Sequence, residues 1–195
     1  MTKKQDRKAV RQPDSVRVGF APLMQIPYYV QFLEAGLTAL DLAEKYPPLS
    51  TIEIIVEGEV TAADSGVLTV YTQTAMSMAA VYSRLLLEFL GLRSGGNPST
   101  LRQIVQRKDG DIGVEHYQKR DGTPLAMIAP SIVHEFPNPS EVERAWITTC
   151  DFAGQRLAHL TDDYKLENVD VTPMLRQAFE TIPDLVRRFF LDHLR

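Results

Sequence analysis

The sequence predicts a mainly α-helical protein, an up-and-down bundle of about four main helices with a small β-hairpin. Apolar residues recur every three or four positions in four long segments, as they do on the buried face of a helix. Prolines stand at the predicted first turns of several segments, where a helix tolerates them. The hydrophobic fraction of 44% and the charged fraction of 24% are close to globular averages, which disfavours disordered and collagen-like classes.

The first predicted helix begins at Pro27 and ends before Pro47 and Pro48, which cannot continue it. Its buried face carries Tyr29, Leu33, Leu37 and Leu40. The next segment, Thr51 to Val60, has the density of β-branched residues that is typical of a strand. A capping-box pattern beginning at Ser50 fits a helix equally well, so both interpretations stay open.

The longest predicted helix spans Val67 to Leu92 and is apolar over most of its circumference, which is typical of a helix inside a bundle. Its polar residues are too frequent for a membrane-spanning segment. Ser99 is predicted to cap a short helix that reaches Arg107. Between Gly113 and Ile128, an Asp-Gly pair at residues 121–122 predicts the β-hairpin.

The last two predicted helices have the clearest start signals. Asn138 and Glu141 form a capping-box pattern around Pro139, and Thr172 and Pro173 open the final helix. The apolar stripe of the fourth helix consists of Val142, Trp146, Cys150, Ala153, Leu157 and Leu160. The final stripe consists of Leu175, Phe179, Ile182, Val186 and Phe189, and it keeps its phase through Pro183. This continuity predicts one kinked helix.

Charge is unevenly distributed along the chain. Residues 1–20 carry a net charge of +4 and the remainder −8, which predicts a basic, flexible arm followed by one helical domain over residues 21–195. A single cysteine, Cys150, excludes an internal disulfide and favours a reducing compartment. No apolar run follows the basic N-terminus, so we expect no secretory signal, a cytoplasmic location and no membrane partner.

The motifs of common enzyme classes are missing from the sequence, including the Gly-rich phosphate loop, the dinucleotide-binding glycines, H-E-x-x-H and G-x-S-x-G. His116 and His134 have no cysteine or carboxylate at a spacing that is typical of metal ligands. The sequence therefore indicates neither a metal nor another cofactor.

Two pairs of polar residues are candidate sites. Arg84 and Glu88 lie four residues apart on the long helix, where they either form an ion pair at the rim of the bundle or line a pocket that binds an anion. His159 faces away from the core stripe of the fourth helix. It is either incidental or acts with Arg156 in proton transfer or phosphate binding.

Several fragments of the sequence resemble the helical HEPN superfamily, especially its bacterial members. They are VYSRLLLEFLGL over residues 81–92, DIGVEHY over 111–117, QRLAHLT over 155–161 and the final amphipathic helix. The similarity runs from roughly Tyr71 to Leu194. It implies a four-helix bundle that often forms a homodimer, found in bacterial toxin, defence and RNA-processing systems.

Many active members of that superfamily resemble one another in an R-x(4 to 6)-H motif that cleaves RNA at a dimer interface. Arg188 and His193 fit this spacing, as do Arg187 and His193, but Phe189 stands where a polar residue often follows the arginine. The resemblance implies that the histidine transfers a proton and the arginine binds the phosphate.

Three functional hypotheses follow. The first is a non-catalytic HEPN-like protein that acts through interactions as a homodimer, with RNA or another protein as a possible partner. The second is a metal-independent ribonuclease that uses Arg188 and His193, or else Arg156 and His159. The third is a nucleic-acid-binding module that uses the basic arm from Lys3 to Arg17 for salt-sensitive contacts with the phosphate backbone.

Overall fold

Helices make up most of the computed structural model, which describes residues 11–60, 66–157 and 169–194. The helices are α1 (Ser15–Phe20), α2 (Ile26–Lys45), α3 (Leu68–Leu90), α4 (Pro139–Asp151), α5 (Thr172–Val186) and α6 (Asp192–Leu194). The strands are β1 (Thr51–Ile52), β2 (Ile55–Val56), β3 (Glu59–Val60), β4 (Gly66–Val67), β5 (Leu92–Gly95) and β6 (Thr100–Gln103). Turns of π-helix span Ala21–Gln25, Phe152–Arg156 and Arg187–Leu191, and 3-10 turns span Val114–His116 and Pro130–Glu135.

The N-terminal helical region begins earlier than the sequence predicts. The side chain of Asp14 accepts hydrogen bonds from the backbone N–H groups of Val16 and Arg17, and so caps α1. Helical backbone then continues from α1 through a π turn into α2, so Pro27 lies inside this run. The Tyr117 hydroxyl donates a 2.9 Å hydrogen bond to the carbonyl of Val18, which ties α1 to the rest of the protein.

Helices α2 and α3 run antiparallel and meet α5 at a point of close contact. A β-carbon added to Gly36 of α2 would lie 2.5 Å from the β-carbon of Ala79 and 2.9 Å from the ring of Phe179. Glycine is therefore needed for these three helices to approach one another. The predicted long helix is confirmed, and it ends at Gly91, whose left-handed φ of 102° suits a helix C-terminus.

The predicted stripes of the last two helices form much of the core. The side chains of Trp146 and Phe179 are fully buried, and the Trp146 indole donates a 2.9 Å hydrogen bond to the hydroxyl of Thr181. Helical backbone continues through Pro183, as predicted, into the π turn and α6. These contacts join α4 to α5 through one apolar interior.

Two predictions about the fourth helix are wrong. Asn138 adopts a left-handed backbone and its side chain makes no capping hydrogen bond, while its carbonyl accepts from the N–H of Glu141 at 2.9 Å. Leu157 is 37% exposed although the 3.6-residue spacing places it on the buried stripe. The π turn Phe152–Arg156 explains this, because its wider turn shifts the phase of every residue that follows. Leu160 lies outside the described residues.

The β-structure also differs from the prediction. The short helix expected from Ser99 to Arg107 is replaced by the antiparallel pair of β5 and β6, in which Arg93 lies opposite Arg102. The Asp-Gly turn at residues 121–122 exists, but an isolated bridge between Gln118 and Pro124 stands in place of a hairpin ladder. Pro124 has no N–H group to extend the ladder, which explains the difference.

The segment from Thr51 to Val60 is extended, so the strand interpretation is confirmed over the capping-box alternative. It forms two-residue strands, with β1 paired to β4 and β2 paired to β3. The small hairpin of β2 and β3 turns at Glu57 and Gly58, both of which have positive φ. Most of its apolar side chains are exposed.

Candidate functional site

A polar cleft of about 400 Å³ lies beside the C-terminal end of α3. Charged and polar side chains from α3, from β5, from the segment that follows β6 and from the end of α4 line it. Its main polar residues are Arg84, Glu88, Arg93, Ser94, Lys108, Asp111 and Asp151. The cleft therefore brings together parts of the chain that are far apart in sequence.

Arg84 and Glu88 form the ion pair that the sequence predicts. The Nε atom of Arg84 donates to Oε1 of Glu88 at 2.8 Å, and both side chains are partly exposed at the rim of the helix. The hydrogen bond to Glu88 is the main reason why the pKa of Arg84 is raised above its ordinary value. Both residues also line the cleft, while anion binding through Arg84 stays a prediction.

Asp151 links the hairpin of β5 and β6 to the end of α4 through hydrogen bonds. One carboxylate oxygen accepts from the Ser94 hydroxyl at 2.8 Å, and the other accepts from the Ser99 hydroxyl at 2.7 Å. Both oxygens of Asp151 thus have a donor from the protein itself. This arrangement fixes one wall of the cleft.

Arg107 stabilises the end of α3 behind the cleft. Its guanidinium contacts both oxygens of Glu115, at 2.8 and 3.0 Å, and donates to the carbonyls of Glu88 and Phe89. These carbonyls belong to the last turn of the helix. That of Glu88 also accepts from the backbone N–H of Gly91 at 3.0 Å, so Arg107 adds a side-chain donor to the C-terminal cap of α3. Burial alone would raise the pKa of Glu115, but hydrogen bonds from Arg107 and from its own backbone lower it overall.

Arg93 and Lys108 add two positive charges to the cleft that the sequence did not single out. Neither side chain has a hydrogen-bond or ion-pair partner among the described residues. No motif links them, because they reach the cleft through the hairpin and the segment after it. Basic residues of that kind are recognisable only once the tertiary structure is known.

Cys150 lies next to the cleft but is not an exposed nucleophile. Its side chain is buried, and burial is the main reason why the pKa of the thiol is raised to about 12. The thiol therefore stays protonated at neutral pH.

The R-x4-H pair lies in a different part of the molecule. Arg188 forms ion pairs with Glu135 and, at 3.6 Å, with Asp184, and its guanidinium lies 5.8 Å from the centre of the Phe136 ring. His193 and Glu135 line one cavity of about 440 Å³. Glu135 is thus near both members of the motif, and its charge already balances that of Arg188.

The other candidate residues are not brought together. The backbone of Arg156 lies in the π turn that borders the cleft, whereas His159 lies outside the described residues. Nδ1 of His116 is within hydrogen-bond distance of the backbone of Gly113. In residues 11–60, 66–157 and 169–194, no three His, Cys, Asp or Glu side chains form a group that could hold a metal ion.

The basic arm falls mainly on residues 1–10, which are outside the described part of the chain. Arg11 and Arg17 are described. The backbone N–H of Arg11 donates to Asp109 at 2.9 Å, and Arg17 belongs to α1.

An apolar groove of about 530 Å³ lies at the opposite end of α3 from the cleft. Its lining comes from α2, α3 and the short strands, and consists mainly of Phe32, Ile52, Ile54, Val67, Val70, Tyr71, Ala75 and Met78. Phe32 joins the groove to an aromatic cluster, since its ring centre lies 4.8 Å from those of Tyr28 and Tyr82. Among the helices that the structure describes, none is both long and apolar enough to cross a membrane.

The chain matches no family model, no curated protein and no solved structure. The resemblance to the HEPN superfamily therefore stays a prediction.

Proposed function

We propose that this chain is a HEPN-like, non-catalytic interaction protein that acts as a homodimer in a bacterial defence, toxin–antitoxin or RNA-related system. We further propose that α2 to α5 form an up-and-down bundle and that the outer face of α2 and α3 is the dimer interface. The observation that carries this proposal is the long, uncharged and partly exposed apolar surface on those two helices.

The absence of charge along the first two thirds of α3 is unusual for an exposed helix. No charged residue occurs between Gly66 and Ser83, which is most of its length. Yet Val70 is 65% exposed and Tyr71 is also exposed. Solvent-facing helix surfaces normally carry charged residues, whereas the centres of interfaces are depleted of them.

The start of α2 and the π turn before it, which lie beside the C-terminal half of α3, are also uncharged. No charged residue occurs between Val18 and Leu33. Leu23, Met24 and Tyr28 are exposed on this region. Aromatic and methionine side chains are enriched at protein interfaces, because they bury a large apolar area.

A second copy of the chain is the partner that this surface fits best. A two-fold interface places the same surface of each copy against the other, and an uncharged surface meets itself without like-charge repulsion. Two antiparallel helices of 20 and 23 residues from each copy would then form a four-helix interface. The small residues of α3, including Ala75 and Ser77, allow close approach.

Replacing Val70 with aspartate tests the dimer. We expect the unaltered protein to sediment as a dimer at micromolar concentration and Val70→Asp to sediment as a folded monomer. Val105→Asp is the matched control, because Val105 is 89% exposed and lies away from this face. A monomeric unaltered protein, or equal dissociation by both variants, contradicts the proposal.

Metal-independent RNA cleavage is the second candidate function. The specific observation in its favour is the π turn Arg187–Leu191, in which the N–H of Asp192 donates to the carbonyl of Arg187. A π turn bonds residues five apart, so it moves Arg188 and His193, also five apart, towards one face. Glu135 contacts Arg188 and lines the same cavity as His193, which supports a role for Glu135 in orienting the pair.

Incubation of the purified protein with mixed RNA in the presence of a metal chelator tests this activity. If the chain is a ribonuclease, His193→Ala abolishes cleavage while His134→Ala, at an exposed position of a 3-10 turn, keeps it. Absence of cleavage by the unaltered protein, or equal cleavage by both variants, removes the assignment.

A further inference from the structure

We infer that the polar cleft at the end of α3 binds the phosphate group of a small phosphorylated molecule. Arg84, Arg93 and Lys108 are the residues that would bind it. This inference does not depend on the dimer or on RNA cleavage, because one chain builds the whole cleft.

The first argument is the number of unused donors in the cleft. Arg84 uses its Nε atom to bind Glu88, and its two Nη groups have no acceptor among the described residues. The side chains of Arg93 and Lys108 also lack an acceptor within that part of the chain. Three positively charged groups that share one cavity therefore have hydrogen-bond donors left for a ligand.

The second argument is that the acidic side chains of the cleft are already engaged. Glu88 accepts from Arg84, and both oxygens of Asp151 accept from serine hydroxyls. Asp111 accepts from the backbone N–H of Lys108 at 3.0 Å. The groups of the cleft that still lack a partner are therefore hydrogen-bond donors. An anion with several oxygens is the ligand that can accept from them best.

The third argument is the way in which Arg84 is positioned. Its Nη1 atom lies 3.0 Å from the place where a β-carbon of residue 154 would be, so Gly154 leaves the space that the guanidinium occupies. The bond from Nε to Glu88 holds the other edge of the group. A guanidinium held in this way presents two parallel N–H donors, the geometry that binds a phosphate with two hydrogen bonds.

The size of the cleft limits the ligand. A volume of about 400 Å³ is typical of sites for small molecules and too small for a folded protein partner. The lining carries three cations and three carboxylates, so the ligand is selected by its acceptor oxygens, and a phosphate monoester offers more of them to the free donors than a carboxylate does. A sugar phosphate or a nucleoside monophosphate has the required size and acceptor oxygens.

Calorimetric titration of the full chain tests the inference with defined probes. The probes are inorganic phosphate, ribose 5-phosphate, succinate and a single-stranded RNA oligomer. We expect ribose 5-phosphate to bind most tightly, phosphate more weakly and succinate least. Absence of binding by both phosphate probes overturns the inference, as does tighter binding of succinate. Tighter binding of the RNA assigns the cleft to a polymer and also overturns it.

Variants of the cleft give the residue-level test. Arg93→Gln and Lys108→Gln should each weaken ribose 5-phosphate binding by about tenfold, because each removes one charge-assisted contact from the cleft. Arg102→Gln is the matched control, since Arg102 lies directly opposite Arg93 in the hairpin but outside the cleft. Equal weakening by the control shows nonspecific attraction and contradicts the assignment.

Gly154→Ala tests the positioning of Arg84 without removing a charge. The added β-carbon would lie 3.0 Å from Nη1 of Arg84, so the guanidinium must shift by a few tenths of an ångström, and we expect weaker binding of ribose 5-phosphate with an unchanged circular dichroism spectrum. Gly19→Ala is the control, because a β-carbon at Gly19 meets nothing within 4 Å. If a folded Gly154→Ala variant binds with unaltered affinity, the proposed role of Arg84 is wrong.

Discussion

The two halves of α3 meet very different surroundings. The N-terminal half is uncharged as far as Ser83 and borders the apolar groove. The C-terminal half carries Arg84 and Glu88 and borders the polar cleft. Both halves share the same buried face, which packs on α2 and α5. One continuous helix therefore supports two surfaces with separate chemistry, so each surface can be altered while the other is retained.

A substitution in the core beside the N-terminal half of α3 should cause a large loss of stability that does not depend on pH. Phe179→Ala removes a fully buried ring that contacts this half, and should lower the free energy of unfolding by about 4 kcal/mol. Urea denaturation at pH 5 and pH 8 should give the same loss. A loss under about 1 kcal/mol, or one that changes strongly with pH, would show that Phe179 does not stabilise this half of α3 by apolar packing.

A substitution at the C-terminal half of α3 should cause a smaller loss of unfolding free energy, and this loss should depend on pH. Arg107 has a side chain 11% exposed, and Arg107→Ala leaves Glu115 without its charged partner and removes the side-chain donor of the Phe89 carbonyl. We expect a loss of about 3 kcal/mol at pH 7. Because the folded pKa of Glu115 is lowered, this stabilisation is present above the unfolded pKa and is lost as the pH falls through the folded value.

Denaturation curves of both proteins from neutral pH down to about pH 3 measure this dependence. The difference in unfolding free energy between the unaltered protein and Arg107→Ala should decrease as Glu115 becomes protonated. Arg102→Ala provides the control, because Arg102 contacts Thr100 and lies on the exposed side of the hairpin. If this difference in unfolding free energy stays constant with pH, the loss of stability comes from packing and not from the charge of Glu115.

Substitutions before and after the π turn beside the cleft can test where the apolar core ends. Leu157 follows this turn and is partly exposed, so Leu157→Ala should cost about 1 kcal/mol or less. Leu175→Ala, at a buried position of α5, should cost about 3 kcal/mol. Thermal unfolding of the two variants measures both losses of stability. Equal losses would show that Leu157 belongs to the core.

The smallest effect is expected at an ion pair outside the cleft. Arg187 donates to Glu34 at 3.0 Å, and both side chains are about half exposed. Arg187→Gln should therefore change the free energy of unfolding by no more than about 0.5 kcal/mol. A larger change in urea denaturation would show that surface charge stabilises this protein generally, and not specifically at the end of α3.

Most helices were predictable because their apolar spacing is regular. The stripes around Trp146 and Phe179 are buried as expected, and Gly91 ends α3. The displacement of Leu157 was not predictable, since a π turn leaves no mark in a pattern that assumes 3.6 residues per turn. The strand pair at residues 92–103 was missed because Ser99 has the composition of a helix cap, while its hydroxyl in fact binds Asp151.

The candidate site was predictable in part. Arg84 and Glu88 stand four residues apart on one helix, so their pairing follows from local geometry. Arg93 and Lys108 join them through tertiary structure, and no spacing in the sequence connects the three cations. Gly154 carries no chemical group at all, and its role follows from the space that it leaves.

The hairpin of β2 and β3 has a practical consequence for work with this protein. Ile55, Val56 and Val60 face solvent on a ribbon of two short strands, whose outer edges pair with no other strand in the described part of the chain. Such edges recruit strands from other molecules, and the two glutamates at the tip, Glu57 and Glu59, oppose this by repulsion. Concentrated salt screens that repulsion, so precipitation of ordered, fibrous material should increase with ionic strength.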